Sequence, residues 1–266
     1  MTKTPATKFE QTHIAMVLDR SGSMSSCRAA TIAAVNKYLL EARQDTNLKE
    51  ADFDLLTFDS ESIETARSGA PIKITDLTEE DFVPRASTPL YDAIGRGIDG
   101  LDGKLTASGS TKAILVVITD GQENASRKHT HGSISELIKA RQDKGWLVVF
   151  LGAGLGSAQQ GISLGVMAAH TANIATDAAS LSSVGETVYS MNAGYARNVN
   201  AESAKRWVAS GASAMSMSAR KSMGDKSAGG GILNKLPSQA KRAAPPPPAQ
   251  KGDTWEKPDS NDAWSQ

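Results

Sequence analysis

The sequence predicts an α/β protein built on an open, mostly parallel sheet, and two observations carry that reading. Four short runs are apolar at almost every position: "HIAMVLD" (13–19), "FDLLTF" (53–58), "AILVVITD" (113–120) and "WLVVFLG" (146–152). Runs of this kind suit strands covered on both faces. Amphipathic stretches with helical spacing lie between them, and strand alternating with helix gives parallel strands joined by right-handed crossovers.

The elements follow in order. After the first strand, Ala29, Ile32, Ala33, Asn36, Leu39 and Leu40 fall on one helical stripe. After the second, "SESIETARSG" (60–69) is too short for a crossover helix and is predicted to turn back as a short antiparallel edge strand. Leu90, Ala93, Ile94, Gly97 and Ile98 mark a helix over 89–101, and Ile134, Leu137, Ile138 and Arg141 mark another over 133–144. "GAGLG" (152–156) lacks the G-x-G-x-x-G spacing of a dinucleotide loop and reads as a tight turn. "AAHTANIA" (168–175) is the predicted last strand, followed by a helix over 177–192.

These elements make one domain, residues 12–197, behind an N-terminal arm at 1–11. The stretch 198–223 reads as a weakly amphipathic helical extension whose sizeable apolar groups are Trp207, Val208 and Met215, and both a docked and a loose state are open to it. From 224 to 266 Gly, Ser, Lys and the run Pro245–Pro248 dominate, so little surface can be buried to offset chain entropy, and a disordered tail is predicted. Trp255 and Trp264, set among acidic residues there, are candidate anchors for a partner.

Composition narrows the function. At 266 residues and 39% hydrophobic content the chain can bury one good core. Its 29 Lys+Arg balance 29 Asp+Glu, so no whole-molecule field points to nucleic acid or to an anionic membrane. The lone cysteine, Cys27, excludes an internal disulfide framework and fits a reducing compartment. "MTKTPATKFEQTH" has no apolar signal region, and no apolar run reaches about 18 residues. A soluble cytoplasmic protein is expected; oligomeric state is open.

The chemistry concentrates in three segments: "DRSGSM" (19–24), "STPLYDAI" (87–94) and "TDGQENAS" (119–126). Asp19 and Asp120 end parallel strands and so emerge on one edge of the sheet, where ligands of open α/β sheets bind. Ser21 and Ser23 alternate in the loop after Asp19, and Thr88, held out of helical conformation by Pro89, can add a third hydroxyl. Hard oxygens converging in this way suit Mg2+, with few carboxylates and several waters. Singly, each residue has a plainer role: Asp19, Ser21, Ser23 and Thr88 as helix caps, Asp120 as a turn residue. Arg20 is expected to point away from the metal, and Asp92 and Glu123 to be solvated or to stand behind the ligands. His129 and His131 lack a third soft ligand nearby and read as a polar loop. Cys27 reads as a small buried residue.

Together the three segments resemble the von Willebrand factor A domain with an intact metal ion-dependent adhesion site, D-x-S-x-S, T, D, over about residues 12–197. The resemblance implies a Rossmann-like three-layer αβα sandwich with one short antiparallel edge strand. It implies that Ser21, Ser23 and Thr88 contact the metal directly, and Asp19 and Asp120 directly or through water. The metal is expected to be Mg2+, with Mn2+ or Ca2+ as substitutes, and an open position would take the Asp or Glu of a protein partner, with the tail as a second contact. The sequence shows neither a recognisable nucleophile and base pair nor a P-loop, so a non-enzymatic binding module is expected. A metal-dependent hydrolase on the same sheet and a metal-independent scaffold are the alternatives.

Overall fold

The computed structural model describes residues 9–154 and 156–225. Six strands form one sheet in the order β3-β2-β1-β4-β5-β6. They are β1 (Thr12–Asp19), β2 (Asp52–Phe58), β3 (Ile63–Gly69), β4 (Lys112–Thr119), β5 (Leu147–Ala153) and β6 (Thr171–Ile174). All neighbours pair parallel except β2 with β3, which is the antiparallel edge pair the sequence predicts. Helices α1 (Arg28–Gln44) and α5 (Ala178–Ala196) cover one face; α2 (Leu90–Ser108) and α3 (His131–Asp143) cover the other.

The alternation within β1 shows how the layers are built. Ile14, Met16 and Leu18 pack in the core under α1 and α5, while Ala15 and Val17 join the core under α2 and α3. Ile14, Met16, Val17 and Leu18 each contribute roughly 1.5–3 kcal/mol by leaving water.

Several elements differ from the sequence expectation. On α1, Ala29, Ala33 and Leu40 are exposed, whereas Thr31, Val35, Tyr38 and Ala42 are buried with Ile32 and Leu39. Tyr38 seats the helix: its ring lies 5.6 Å from that of Phe53, and its hydroxyl accepts from Asn192 at 3.1 Å. Close approach of α5 at Gly185, where an added Cβ would lie 2.4 Å from the Ala34 carbonyl oxygen, fixes the same face inward. Only Thr171–Ile174 of the expected last strand is extended, Ala168–His170 forming a 3-10 turn. Gly154 and Gly156 both adopt the left-handed backbone that a turn uses, with φ of +95° and +90°. A short helix, α4 (Ser157–Ser163), follows it, and its seven residues are too few to declare a period.

The extension is docked. It contains α6 (Ala201–Ala209) and α7 (Met217–Ser222), with Ala204, Met215 and Met223 buried and Trp207 lying against Gly194 of α5. Arg220, 4% exposed, donates to the carbonyls of Thr171 at the start of β6 and of Ala168 and Ala169 in the turn before it, and pairs with Asp225 at 3.2 Å, tying the extension to this edge of the sheet. The tail from 226, with Trp255 and Trp264, lies outside the described residues.

Chain order reverses at β1, which has β2 on one side and β4 on the other. The carboxyl ends of β1 and β4 are therefore neighbours, and the loops leaving them diverge to opposite helix layers.

Candidate metal centre

Asp19, the last residue of β1, is fully buried. Its Oδ1 accepts from the backbone N–H of Ser21 at 2.7 Å and its Oδ2 from the Thr119 hydroxyl at 2.6 Å. A 3-10 turn over Gly22–Cys27 follows and leaves Ser21 and Ser23 on one side, with their Oγ atoms 3.1 Å apart. Ser23 donates to Asp120 Oδ1 at 2.6 Å, across from the first residue after β4. Thr88 reaches the same place from the α2 side. Asn124 clamps its backbone, accepting from Thr88 N–H at 2.8 Å and donating to the Thr88 carbonyl at 3.1 Å. Gly121 allows the approach, because an added Cβ would stand 2.9 Å from Thr88 Oγ1 and 3.5 Å from Asp19 Oδ2. All five residues singled out from the sequence thus surround one spot.

The loop that presents Thr88 is tied to its neighbours by backbone bonds. Arg85 N–H donates to the Arg20 carbonyl at 2.9 Å, Gly22 N–H to the Ala86 carbonyl at 3.1 Å, and Ser60 N–H to the Ser87 carbonyl at 2.9 Å. Ala86 adopts φ +57°, a left-handed conformation that costs an alanine about 1 kcal/mol and that these bonds hold in place. Arg20 turns away from the site, as expected, and donates to Asp59 at 2.8 Å and Ser62 at 2.9 Å. Burial pushes the Asp59 carboxyl up, but the backbone donors of Glu61 and Ser62 and the guanidinium groups of Arg85 and Arg20 outweigh it and hold the group below the usual range.

Of the two roles expected of Asp92 and Glu123, the structure shows the one behind the candidate ligands, as organisers of the loop. Asp92 accepts from the backbone N–H groups of Arg127, Lys128 and His129 at 2.8–3.0 Å. Glu123 accepts from those of Tyr91, Ala125 and Ser126 at 2.7–2.9 Å. They fold the segment after β4 onto the start of α2 and so fix Asp120 relative to Thr88. Sequence reasoning missed Asn124 and Thr119, both of which lie inside "TDGQENAS" and carry side chains that could bond backbone or carboxylate.

The electrostatics favour a cation. Burial pushes the carboxyl groups of both Asp19 and Asp120 up, and neither has a Lys, Arg or His partner among the described residues. Two neighbouring carboxylates without countercharge, together with three hydroxyls and no nitrogen or sulfur, form an oxygen-only set suited to a hard divalent ion. Adjacent ligands of an octahedron with bonds of about 2.1 Å stand about 3.0 Å apart; Ser21 Oγ and Ser23 Oγ are separated by 3.1 Å. The residues present therefore fit Mg2+. Among the described residues no group of three or more His, Cys, Asp or Glu could hold a metal ion, which leaves the hydroxyls indispensable to any site here. His129 and His131 do not converge: His129 lies over Gly95, and His131 Nε2 is 3.2 Å from Ser163 Oγ. Cys27 is buried, and burial pushes its thiol up.

No protein-family model matches the chain, and no curated protein matches it by sequence. Solved structures do match. The pilus adhesin SpaC of Lactobacillus rhamnosus GG aligns over 70% of this chain and 31% of its own, at 16% identity and a TM-score of 0.55. The vWF domain of the type V pili tip protein Mfa5 from Porphyromonas gingivalis aligns over 69% of this chain and 95% of its own, at 10% identity and a TM-score of 0.51. A von Willebrand factor type A protein from Catenulispora acidiphila aligns over 70% of this chain and 43% of its own, at 11% identity and a TM-score of 0.46. The chain thus spans less than half the length of the Lactobacillus and Catenulispora proteins. The likeness is one of fold: a mostly parallel sheet between helix layers, with one antiparallel edge pair.

Proposed function

We propose that this protein is a metal-dependent protein-binding module, in which a divalent cation at the carboxyl ends of β1 and β4 takes the Asp or Glu of a partner. The observation that carries the reading is the pair of neighbouring carboxylates, Asp19 fully buried and Asp120 half-buried, without a Lys, Arg or His partner among the described residues and within reach of three hydroxyls. Ser21, Ser23 and Thr88 would hold the ion directly and Asp19 and Asp120 directly or through water. A bound Mg2+ would supply an open coordination position for an outside carboxylate. The rest is done by the chain. Three neutral hydroxyls leave the ion's charge under-compensated, and Thr119 and the Ser21 N–H hold Asp19 in place. Asn124 keeps Thr88 aimed at the site.

Binding suits these residues better than turnover, since no histidine or lysine among the described residues hydrogen-bonds to any of the five. The fold neighbours named as adhesin and pilus-tip proteins are consistent with an attachment role. A cytoplasmic location fits the single buried thiol of Cys27, and no helix among the described residues is long and apolar enough to cross a membrane.

The test is capture of partners from source extract in Mg2+ and in EDTA, with Thr88→Ala alongside, followed by substitution of acidic residues in the captured partner. The reading predicts loss in EDTA, loss with Thr88→Ala, and loss on neutralising one partner Asp or Glu. Capture indifferent to EDTA and to Thr88→Ala would instead favour the metal-independent scaffold.

A further inference from the structure

At the amino edge of the sheet, opposite the metal centre, a serine, a histidine and an aspartate stand in line. The parallel register sets His13 of β1 directly beside Asp52 of β2. His13 faces the same way as Ala15 and Val17, which pack under α2, and Ser108 is the last residue of that helix. His13 Nδ1 lies 3.1 Å from Asp52 Oδ2, and His13 Nε2 lies 2.9 Å from Ser108 Oγ. Lys104, one turn earlier on α2, donates to Asp52 Oδ1 at 2.7 Å and fixes the carboxylate.

The chain of bonds has a direction. A carboxylate only accepts, so Asp52 keeps the imidazole proton on Nδ1 and leaves Nε2 to receive the proton of Ser108. His13 is 2% exposed, whereas Ser108 is open to solvent. Ser108 lines a groove of about 610 Å³ together with Phe9, Gln11, Thr12 and Gly109. The backbone N–H of Ser110 points at Ser108 Oγ from 3.2 Å, beside the place where an oxyanion would form. A nucleophile in reach of a base, a base held by an acceptor, a neighbouring backbone donor and an open groove are the parts that acyl transfer needs.

We propose that Ser108, His13 and Asp52 form a second site, independent of the metal centre, that hydrolyses small carboxylic esters. Ser108 Oγ adds to the ester carbonyl carbon while its proton passes to His13 Nε2. The bond to the alcohol oxygen then breaks, and that oxygen leaves with the proton. Water adds to the acyl-Ser108, giving its proton to His13; the acyl–Oγ bond breaks, Ser108 recovers the proton, and the acid is released. Glu10 and Glu50 also line the groove and select neutral or cationic esters over anionic ones. Turnover is slow, for two reasons. Ser108 sits at the carbonyl end of α2, whose dipole opposes an oxyanion, and the Lys104 carbonyl, 2.8 Å from Ser108 Oγ, competes for its proton.

The test uses the full chain in EDTA, which removes any contribution of the metal centre. A fluorophosphonate probe followed by mass spectrometry of the digested protein should place one phosphonyl group on Ser108. Hydrolysis of p-nitrophenyl acetate should fall about 100-fold or more in Ser108→Ala. Because Ser108→Ala also takes the partner of the buried His13 Nε2, its melt is recorded beside the wild type's to show that the variant is folded; Asp52→Asn should slow both labelling and hydrolysis. An unlabelled Ser108, or equal hydrolysis by wild type and a folded Ser108→Ala, overturns the proposal.

Discussion

Asp19→Asn should leave the metal-free protein at least as stable as the wild type while abolishing its response to Mg2+. Asp19 is fully buried, accepts from Ser21 N–H and the Thr119 hydroxyl, and has Asp120 rather than a cation near it. Asparagine keeps the shape and removes the charge. Its carbonyl can still accept from Ser21, and its amide can donate to Thr119 Oγ1, whose own proton then turns to the Gly121 carbonyl 3.1 Å away. No hydrogen bond is lost and a buried charge disappears. Mg2+ at about 100 times its Kd stabilises the wild type by about 2.7 kcal/mol. For a domain of this size that is a Tm rise of roughly 5–10 °C, and the variant should show almost none of it. The assay is thermal melting of both proteins in EDTA and in a Mg2+ series. A variant weaker than wild type in EDTA by more than about 1 kcal/mol would mean that the protein itself compensates the carboxylate. An undiminished Mg2+ response would be equally damaging.

Three further outcomes are expected. Asn124→Ala should lower Mg2+ affinity about 10-fold, measured by calorimetry, with little change in the metal-free melt, because Asn124 aims Thr88 and touches no core. Gly185→Ala should destabilise the protein by about 1–3 kcal/mol in urea, since the new Cβ would meet the Ala34 carbonyl oxygen at 2.4 Å; a gain from helix propensity would show that α1 and α5 can move apart. The third concerns acid. Burial, with Arg220 nearby, lowers the His170 pKa to about 4, so the unfolded chain binds this proton more readily than the native one. His170 therefore costs nothing above pH 6.5, and the native state loses about 3 kcal/mol as pH falls from there through 4. Urea titrations at pH 7, 5 and 4 should show a shallower decline for His170→Gln; parallel declines would contradict the assignment.

What could be read from the sequence depended on the range of the signal. Strands such as "AILVVITD" announce themselves, because burial on both faces leaves no room for polar residues. The clustering of the five candidate residues was legible because each carries its own local sign: a strand-ending Asp, hydroxyls two apart, a Thr before Pro. The facing of α1 was not, since it depends on the close approach of Gly185 to Ala34, 151 positions apart in chain numbering. Nor was the link between His13 and Ser108, which are 95 residues apart and meet only through sheet register and the length of α2. The roles of Asp92 and Glu123 were hidden because a carboxylate that gathers backbone N–H groups looks, in sequence, like any surface acid.

The central claim is that five oxygen-bearing side chains make one cation site. Calorimetric titration of Mn2+ into wild type and Thr88→Ala tests it most directly. The account predicts one saturable Mn2+ per wild-type chain and an affinity lower by about tenfold or more in the variant, with both proteins folded. Absence of saturable binding, or equal affinity in the two proteins, would contradict it.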